Sequence, residues 1–90
     1  MPSDARLDCL VAGEANVDLL MRGVIALTPG EEKLAQDMDL VLGGSSSITA
    51  HNLARLGRRV GLVAVVGTDA FGTLVESRLR AAGVNLQGMR

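Results

Sequence analysis

Leu7 to Gly13, LDCLVAG, is a mostly apolar run of strand length that stops at a glycine, the pattern of a strand buried on both faces. After Glu14-Ala15-Asn16 comes a weaker strand pattern, VDLLMRG from Val17 to Gly23. Thr28-Pro29-Gly30 then carries a turn signature. From Lys33 the residues Leu34, Gln36, Met38, Leu40 and Leu42 share one parity, which predicts an antiparallel strand with one apolar face; a helix over Glu31 to Asp39 competes, because Glu, Lys, Leu, Ala and Gln are good helix formers. From Ser47 to Leu56 the spacing becomes helical, with Ile48, Leu53 and Leu56 on one face and Gly57 as the stop. RVGLVAVVG, Arg59 to Gly67, has the β-branched composition of a central parallel strand. Asp69 can cap the next helix, whose stripe is Phe71, Leu74, Val75, Leu79 and Ala82 before Gly83 ends it; Val84 to Arg90 opens a further extended segment.

Strand, excursion, helix, strand, helix is an α/β layout. Leu7 to Gly13 and Arg59 to Gly67 are expected to lie parallel in one sheet with right-handed crossovers. Two such strands and two helices cannot cover both faces of a parallel sheet. Burial alone therefore predicts either the front part of a longer domain or a chain that pairs with another.

Composition narrows the function classes. The chain has 90 residues, 48% hydrophobic and 21% charged with net charge −1, which bounds it to one domain or part of one. Phe71 is the only Phe, Tyr or Trp, so there is no aromatic platform for bases and nucleic acid is not an expected partner. The longest apolar stretch, VGLVAVVG, is far below the roughly 20 residues that span a bilayer. Asp4, Arg6 and Asp8 near the start do not form a secretory signal, and the lone Cys9 in an apolar run reads as a buried, reduced thiol; both suit the cytoplasm. Charge is unevenly divided: residues 1–50 hold eight acids and three bases, residues 51–90 two acids and six bases. Arg55, Arg58 and Arg59 fall where a helix would end, and cations there complement its dipole.

Candidate chemistry gathers at the carboxyl end of the first strand, where ligands bind in open α/β sheets. In GEANVDL, Asn16 and Asp18 flank one residue and offer an amide and a carboxylate, a pair that suits the hydroxyls of a polyol. Gly43 and Gly44 remove side-chain bulk before a helix whose first amides, around Ser45 to Ser47, are donors; the plainer reading is a Gly-Gly bend with a serine cap. GTDAFGTL, Gly67 to Leu74, spaces its glycines like a phosphate-binding loop but has Thr73 and Leu74 where that motif needs Lys and Ser or Thr, and no G-x-G-x-x-G occurs. It reads as a tight turn into a capped helix. His51, single on its helix, reads as a packing or solvent-facing residue, not a base.

VAGEANVDLL, PGE, GGSSSITAHNLARLG and VGLVAVVGTDAFG, in this order and spacing, resemble the N-terminal portion of the ribokinase/PfkB carbohydrate kinases. The resemblance covers nearly the whole chain. It implies an incomplete Rossmann-like three-layer α/β fold of ribokinase type in which residues 17–42 supply strands of a small β-sheet lid. It implies ATP-dependent phosphorylation of a sugar or nucleoside hydroxyl, with ATP and Mg2+ serving the complete enzyme and neither expected to bind this segment alone. Substrate binding would fall to Asn16, Asp18, Gly43, Gly44 and Ser45. The family usually has an asparagine four residues after the second glycine; that position is Ile48 here, and Asn52, one turn later, is the candidate replacement. No GAGD-like segment occurs, and the family's catalytic aspartate, anion hole and nucleotide pocket lie in a C-terminal half. The expectation is a sugar-binding N-terminal segment without catalytic residues of its own, forming homo-oligomers through lid strands or exposed sheet. The alternative from another class is a non-catalytic remnant that serves as an interaction or oligomerisation module.

Overall fold

The computed structural model describes residues 6–24 and 26–90; Asp4 lies outside them. Six elements follow in order: β1 (Cys9–Ala12), β2 (Asn16–Arg22), β3 (Asp37–Gly43), α1 (Ser45–Arg55), β4 (Val60–Val63) and α2 (Ala70–Ala82). β1 and β4 pair in parallel, Cys9 opposite Val60 and Ala12 opposite Val63, as the two apolar runs require. Asn85 and Met89 extend this sheet by single parallel bridges to Gly61 and Ala64, so the Val84–Arg90 segment does begin to run beside β4. Both central strands are shorter than their apolar runs. β4 proper ends at Val63, with a lone bridge at Ala64, because the amide of Val66 pairs with the carbonyl of Arg90 and not with β1.

One face of this sheet is covered and the other is bare. Val60, Leu62 and Ala64 point toward the helices and join Ala50, Val75, Leu79 and Val84 in the core. α1 lies against β1 and β4, and α2 packs on α1 and reaches the base of β2 and β3. On the opposite face Leu10, Val63 and Val65 are exposed, and Leu7 and Leu10 lean over Gly61. The burial argument made from the strands alone thus holds for one layer. Cys9 is half-buried, a partial correction to the fully buried thiol.

β2 and β3 form a separate antiparallel pair, Asn16 opposite Gly43 through Arg22 opposite Asp37. The strand reading for this region is right over Asp37–Gly43 and fails before it. Leu34 and Gln36 are not in the ladder, since the chain crosses only once more, where the Gln36 amide donates to the Arg22 carbonyl at 2.6 Å, and then turns at Gly23. No helix forms over Glu31 to Asp39. Thr28-Pro29-Gly30 is a turn, closed by Glu31 N–H to Thr28 O at 3.1 Å. The pairing puts Val17, Leu19, Met21, Met38, Leu40 and Leu42 on one face, which is wholly apolar. Asn16, Asp18, Arg22, Asp37 and Asp39 lie on the other together with the apolar Leu20 and Val41, and there Arg22 bridges Asp39 at 2.9 Å and Asp37 at 3.3 Å. The base of this sheet, at Val17 and Leu42, packs against the core, while Leu19, Leu20, Met21 and Met38 farther out are exposed.

Two helix readings need correction. α1 begins at Ser45, not Ser47: its N-cap is Gly44 and no serine side chain caps it. Its buried face is Ser47 and Ala50 with Leu53 and Ala54 half-buried, while Ile48 and Leu56 are exposed, because small residues let α1 approach the sheet closely. In α2 the stripe is buried at Val75 and Leu79, but Phe71 is 53% exposed. The cap is as expected: the Asp69 carboxylate accepts from Gly72 N–H at 3.0 Å. α1 and α2 end at Gly57 and Gly83, each with a positive φ.

Arg59 does not serve the end of α1. It clamps Asp8, with its backbone N–H and Nη2 donating to the carboxylate at 2.9 and 3.0 Å, which ties the entry of β1 to the entry of β4. The Arg59 side-chain and backbone hydrogen bonds hold the Asp8 carboxyl below its ordinary value. A depressed folded pKa stabilises the fold above the unfolded carboxylate value near 3.9 and loses that contribution as pH falls through the lower folded value. Asp8→Asn is therefore expected to flatten the acid limb of the stability profile below about pH 4. Urea titrations at stepped pH check this, and parallel acid limbs for the two proteins would dismiss the clamp as a titrating contact.

Candidate functional site

The linkers between the two sheets converge. The chain leaves β1 through Gly13-Glu14-Ala15 into β2 and returns from β3 through Gly43-Gly44 into α1, so Asn16 and Gly43 face each other across the ladder. The Asp18 carboxylate lies directly over Gly43, so closely that a Cβ at residue 43 would collide with its oxygens. At Gly44, φ is +88°, and a Cβ would stand 3.1 Å from the Glu14 carbonyl and 3.4 Å from the Asn16 amide. The Gly-Gly pair is thus explained by close approach of Asp18 and the β1–β2 loop.

Ser47 locks the junction. Its hydroxyl turns back on the carbonyls of Gly43 and Gly44, and its amide donates to the Glu14 carbonyl at 3.2 Å. This corrects the expectation that the amides of Ser45 to Ser47 are all available to a ligand: the one at Ser47 is already used. Asn16 donates from Nδ2 to Glu14 Oε2 at 3.5 Å. Asn16 and Asp18 are both exposed, so their polar atoms face solvent.

Two clefts adjoin the pair. A cleft of about 580 Å³ is lined by Asn16, Val17, Asp18, Leu19, Leu40 and Phe71. A smaller one of about 160 Å³ runs from Asn16 and Val17 past Phe71 to Val66, Gly67, Asp69 and Val75. The structure brings Asn16, Asp18, Gly43 and Gly44 together. Of the candidate residues, Asn16 and Asp18 line a cleft, whereas Gly43, Gly44, Ser45 and Asn52, whose Oδ1 faces His51 Nδ1 at 3.2 Å, line neither. Asn52 lies seven residues into α1, about 10 Å along the axis from Ser45.

A model of the pfkB family of carbohydrate kinases matches residues 6–90. The chain belongs to that family.

Relatives of this pfkB chain are sugar kinases. It is 37% identical to an uncharacterized sugar kinase, YeiI, of Escherichia coli over 89% of the chain and 22% of that protein. It is 35% identical to the 5-dehydro-2-deoxygluconokinase of Photobacterium profundum over 99% of the chain and 26% of the relative. The fructokinase of Halothermothrix orenii superposes with TM-score 0.80 at 28% identity, over 93% of this chain and 29% of the fructokinase. The Arabidopsis thaliana ribokinase, solved with ribose and ATP, superposes with TM-score 0.82 at 27% identity, over 96% and 28% of the two chains. The pfkB chain therefore spans about a quarter of the length of the curated relatives it matches, and its α/β elements are a partial ribokinase-type fold.

Several cleft residues escaped the sequence reading. Val17, Leu19 and Leu40 were strand positions and Phe71 a core position; only the approach of α2 to β2 makes them a wall. The one available signal was placement, since Phe71 opens the helix that follows a strand's carboxyl end. Gly67, Asp69 and Gly72 form the turn expected of them. A Cβ at Gly72 would strike the Gly67 carbonyl, which is why that position of α2 is glycine. No helix of the described residues is long and apolar enough to cross a membrane.

Proposed function

We propose that this chain is the N-terminal, sugar-binding part of an ATP-dependent carbohydrate or nucleoside kinase, with the β2–β3 sheet as its lid and Asn16, Asp18, Gly43 and Gly44 as its substrate contacts. The observation that carries the reading is the Asp18 carboxylate standing exposed over Gly43, beside Asn16, at the root of that sheet. A carboxylate accepts two hydroxyl hydrogen bonds and an amide both donates and accepts, so the pair can hold and orient adjacent hydroxyls of a polyol. Ser45 would make at most a secondary contact, and Asn52 is the candidate replacement for the asparagine that Ile48 displaces. The Arabidopsis ribokinase, with ribose and ATP bound and a matching fold, supports a sugar as substrate and ATP as phosphoryl donor.

Phosphoryl transfer needs a seated nucleotide, neutralised charge and an oriented nucleophile. The turn Gly67–Leu74 has no lysine for a nucleotide phosphate, and Asp69 is committed to capping α2. What these residues can do is bind and orient the sugar. The 90-residue chain is accordingly expected to give no sugar-dependent ADP release across a panel of sugars and nucleosides in a coupled assay. Robust turnover by the pure chain would contradict this division of labour.

The bare faces support self-association as part of the same reading. Leu19, Met21 and Met38 on the lid, and Leu10, Val63 and Val65 on the central sheet, are all exposed. Leaving even three such side chains in water forgoes roughly 1.5–3 kcal/mol each, a large part of the 5–15 kcal/mol margin of an ordinary domain. The isolated chain is expected to be a dimer or larger, or loosely packed, in the cytoplasm-like reducing conditions that Cys9 tolerates. Light scattering with hydrogen exchange at micromolar concentration measures it. A compact monomer with strongly protected amides over Val60 to Val66 would instead favour an independent binding module.

A further inference from the structure

Phe71 is the sole Phe, Tyr or Trp of the chain, yet it is not spent on the core. Val75 and Leu79, on the same helix, are 2% and 0% exposed, whereas Phe71 is 53% exposed. Its ring lines the 580 Å³ cleft together with Asn16 and Asp18, and also the smaller cleft, so Asn16, Val17 and Phe71 form the wall common to both. The backbone next to the ring is tied by a cap and a close contact. The Asp69 cap and the close approach of Gly72 to the Gly67 carbonyl seat the first turn of α2 on the turn that precedes it. A half-exposed aromatic side chain lining one cleft with residues that carry an exposed carboxylate and an amide makes an amphipathic site, apolar on one wall and acceptor-rich on its rim.

We infer that Phe71 is a specificity-determining residue of the sugar cleft, stacking on the apolar C–H face of a cyclic sugar whose hydroxyl edge is held by Asn16 and Asp18. This rests on the sugar-binding reading above. A cyclic sugar is itself amphipathic, with hydroxyls around its edge and C–H bonds clustered on a face. The face of an aromatic ring carries the negative part of its quadrupole and attracts weakly positive C–H groups, which an aliphatic side chain of similar bulk does not do. The cleft lies in the usual size range of small-molecule sites and runs along the edge of β2 that faces Phe71, with Val17, Leu19 and Leu40 on one side of that edge and Asn16 and Asp18 on the other. Cyclic sugars are thereby favoured over acyclic polyols carrying the same hydroxyls, because the open chain has no continuous C–H face to offer.

The test uses the 90-residue chain and proton saturation transfer, with glucose, ribose and fructose as cyclic probes and sorbitol as the open-chain control. Aside from the His51 imidazole, the Phe71 ring supplies the only aromatic C–H resonances, so irradiating them addresses one residue. The expected result is transfer to the C–H protons of at least one cyclic probe and not to sorbitol. The dissociation constant of that probe rises about threefold to tenfold in Phe71→Leu and returns to within about twofold in Phe71→Tyr. Amide spectra of both variants report that the fold is kept, and the transfer measurement on the unsubstituted chain needs no variant at all. Sugar binding that responds to Asp18→Ala but shows no ring transfer and ignores Phe71→Leu would overturn the role of Phe71 and leave the sugar site standing. Absence of binding by every probe would overturn the sugar site and this inference together. If Phe71→Leu changes the mass by light scattering and not sugar affinity, the ring belongs to a contact between copies and the inference fails.

Discussion

Leu79→Ala is expected to remove about 2–5 kcal/mol of stability, the range for truncating a fully buried leucine. Leu79 is 0% exposed and packs in one cluster with Val60, Leu62, Ala50, Val75 and Val84, joining α2 to the covered face of the sheet. The Leu79 carbonyl also accepts from Val84 N–H at 3.1 Å, where α2 ends and the Asn85 segment begins, so a shift of the helix is transmitted to the edge of β4. Cavity and transfer terms add here, because small neighbours such as Ala50 cannot move in to fill the space. A chain with one sheet face bare has little margin, and the variant is expected to populate the unfolded state at ordinary temperature. Urea unfolding followed by circular dichroism measures the effect. A loss under about 1 kcal/mol would mean that α2 is not packed on the sheet in solution.

The second large effect is on binding. Asp18→Ala is expected to weaken sugar binding by roughly 1.5–3 kcal/mol, about tenfold to 150-fold, as hydrogen bonds from substrate hydroxyls to a charged acceptor are lost. Asp18 is exposed and makes no salt bridge with the described residues, so its removal leaves no buried partner unsatisfied and the fold should be little changed. Calorimetric titration with the sugar that gives the strongest saturation transfer measures the loss. Affinity untouched by the substitution would displace the Asn16/Asp18 pair as the sugar anchor. Gly43→Ala is a useful companion, because a Cβ there forces the carboxylate off its position without removing it.

Much of the site was legible because its logic is local. The Asn16-x-Asp18 spacing puts both side chains on one face of any strand, and the pairing of Asn16 with Gly43 carries that face to the Gly-Gly bend. The Asp69 cap and the stops at Gly57 and Gly83 are likewise properties of a few consecutive residues. The errors have a common origin in packing at a distance. Ile48 and Leu56 were placed on the buried face of α1 by hydropathy, but the sheet selects Ser47 and Ala50 because close helix approach needs small side chains. Leu34 was placed in β3 by parity, yet pairing stops at Arg22–Asp37 because β2 offers no residue opposite once the chain turns at Gly23.

By itself, the sequence determined the α/β layout, the parallel pairing of the two apolar runs, the capped helix α2, the family and the identity of the polar pair at the end of β1. The layout, the pairing, the capped helix and the polar pair follow from periodicity, caps and residue spacing, which act within a strand, a turn or a helix, whereas the family was legible as a resemblance in the order of its motifs. Only the tertiary structure decided that Ser47 ties the β1–β2 loop to α1, that Arg59 holds Asp8 and not the end of a helix, and that Phe71 leaves the core to line a cleft. Those outcomes depend on residues from about 30 to more than 50 positions apart meeting in space. The sequence pattern of a helix states which side is apolar but not which neighbour it will meet, and at Phe71 that neighbour is a cleft beside Asn16 and Asp18, where the core stops.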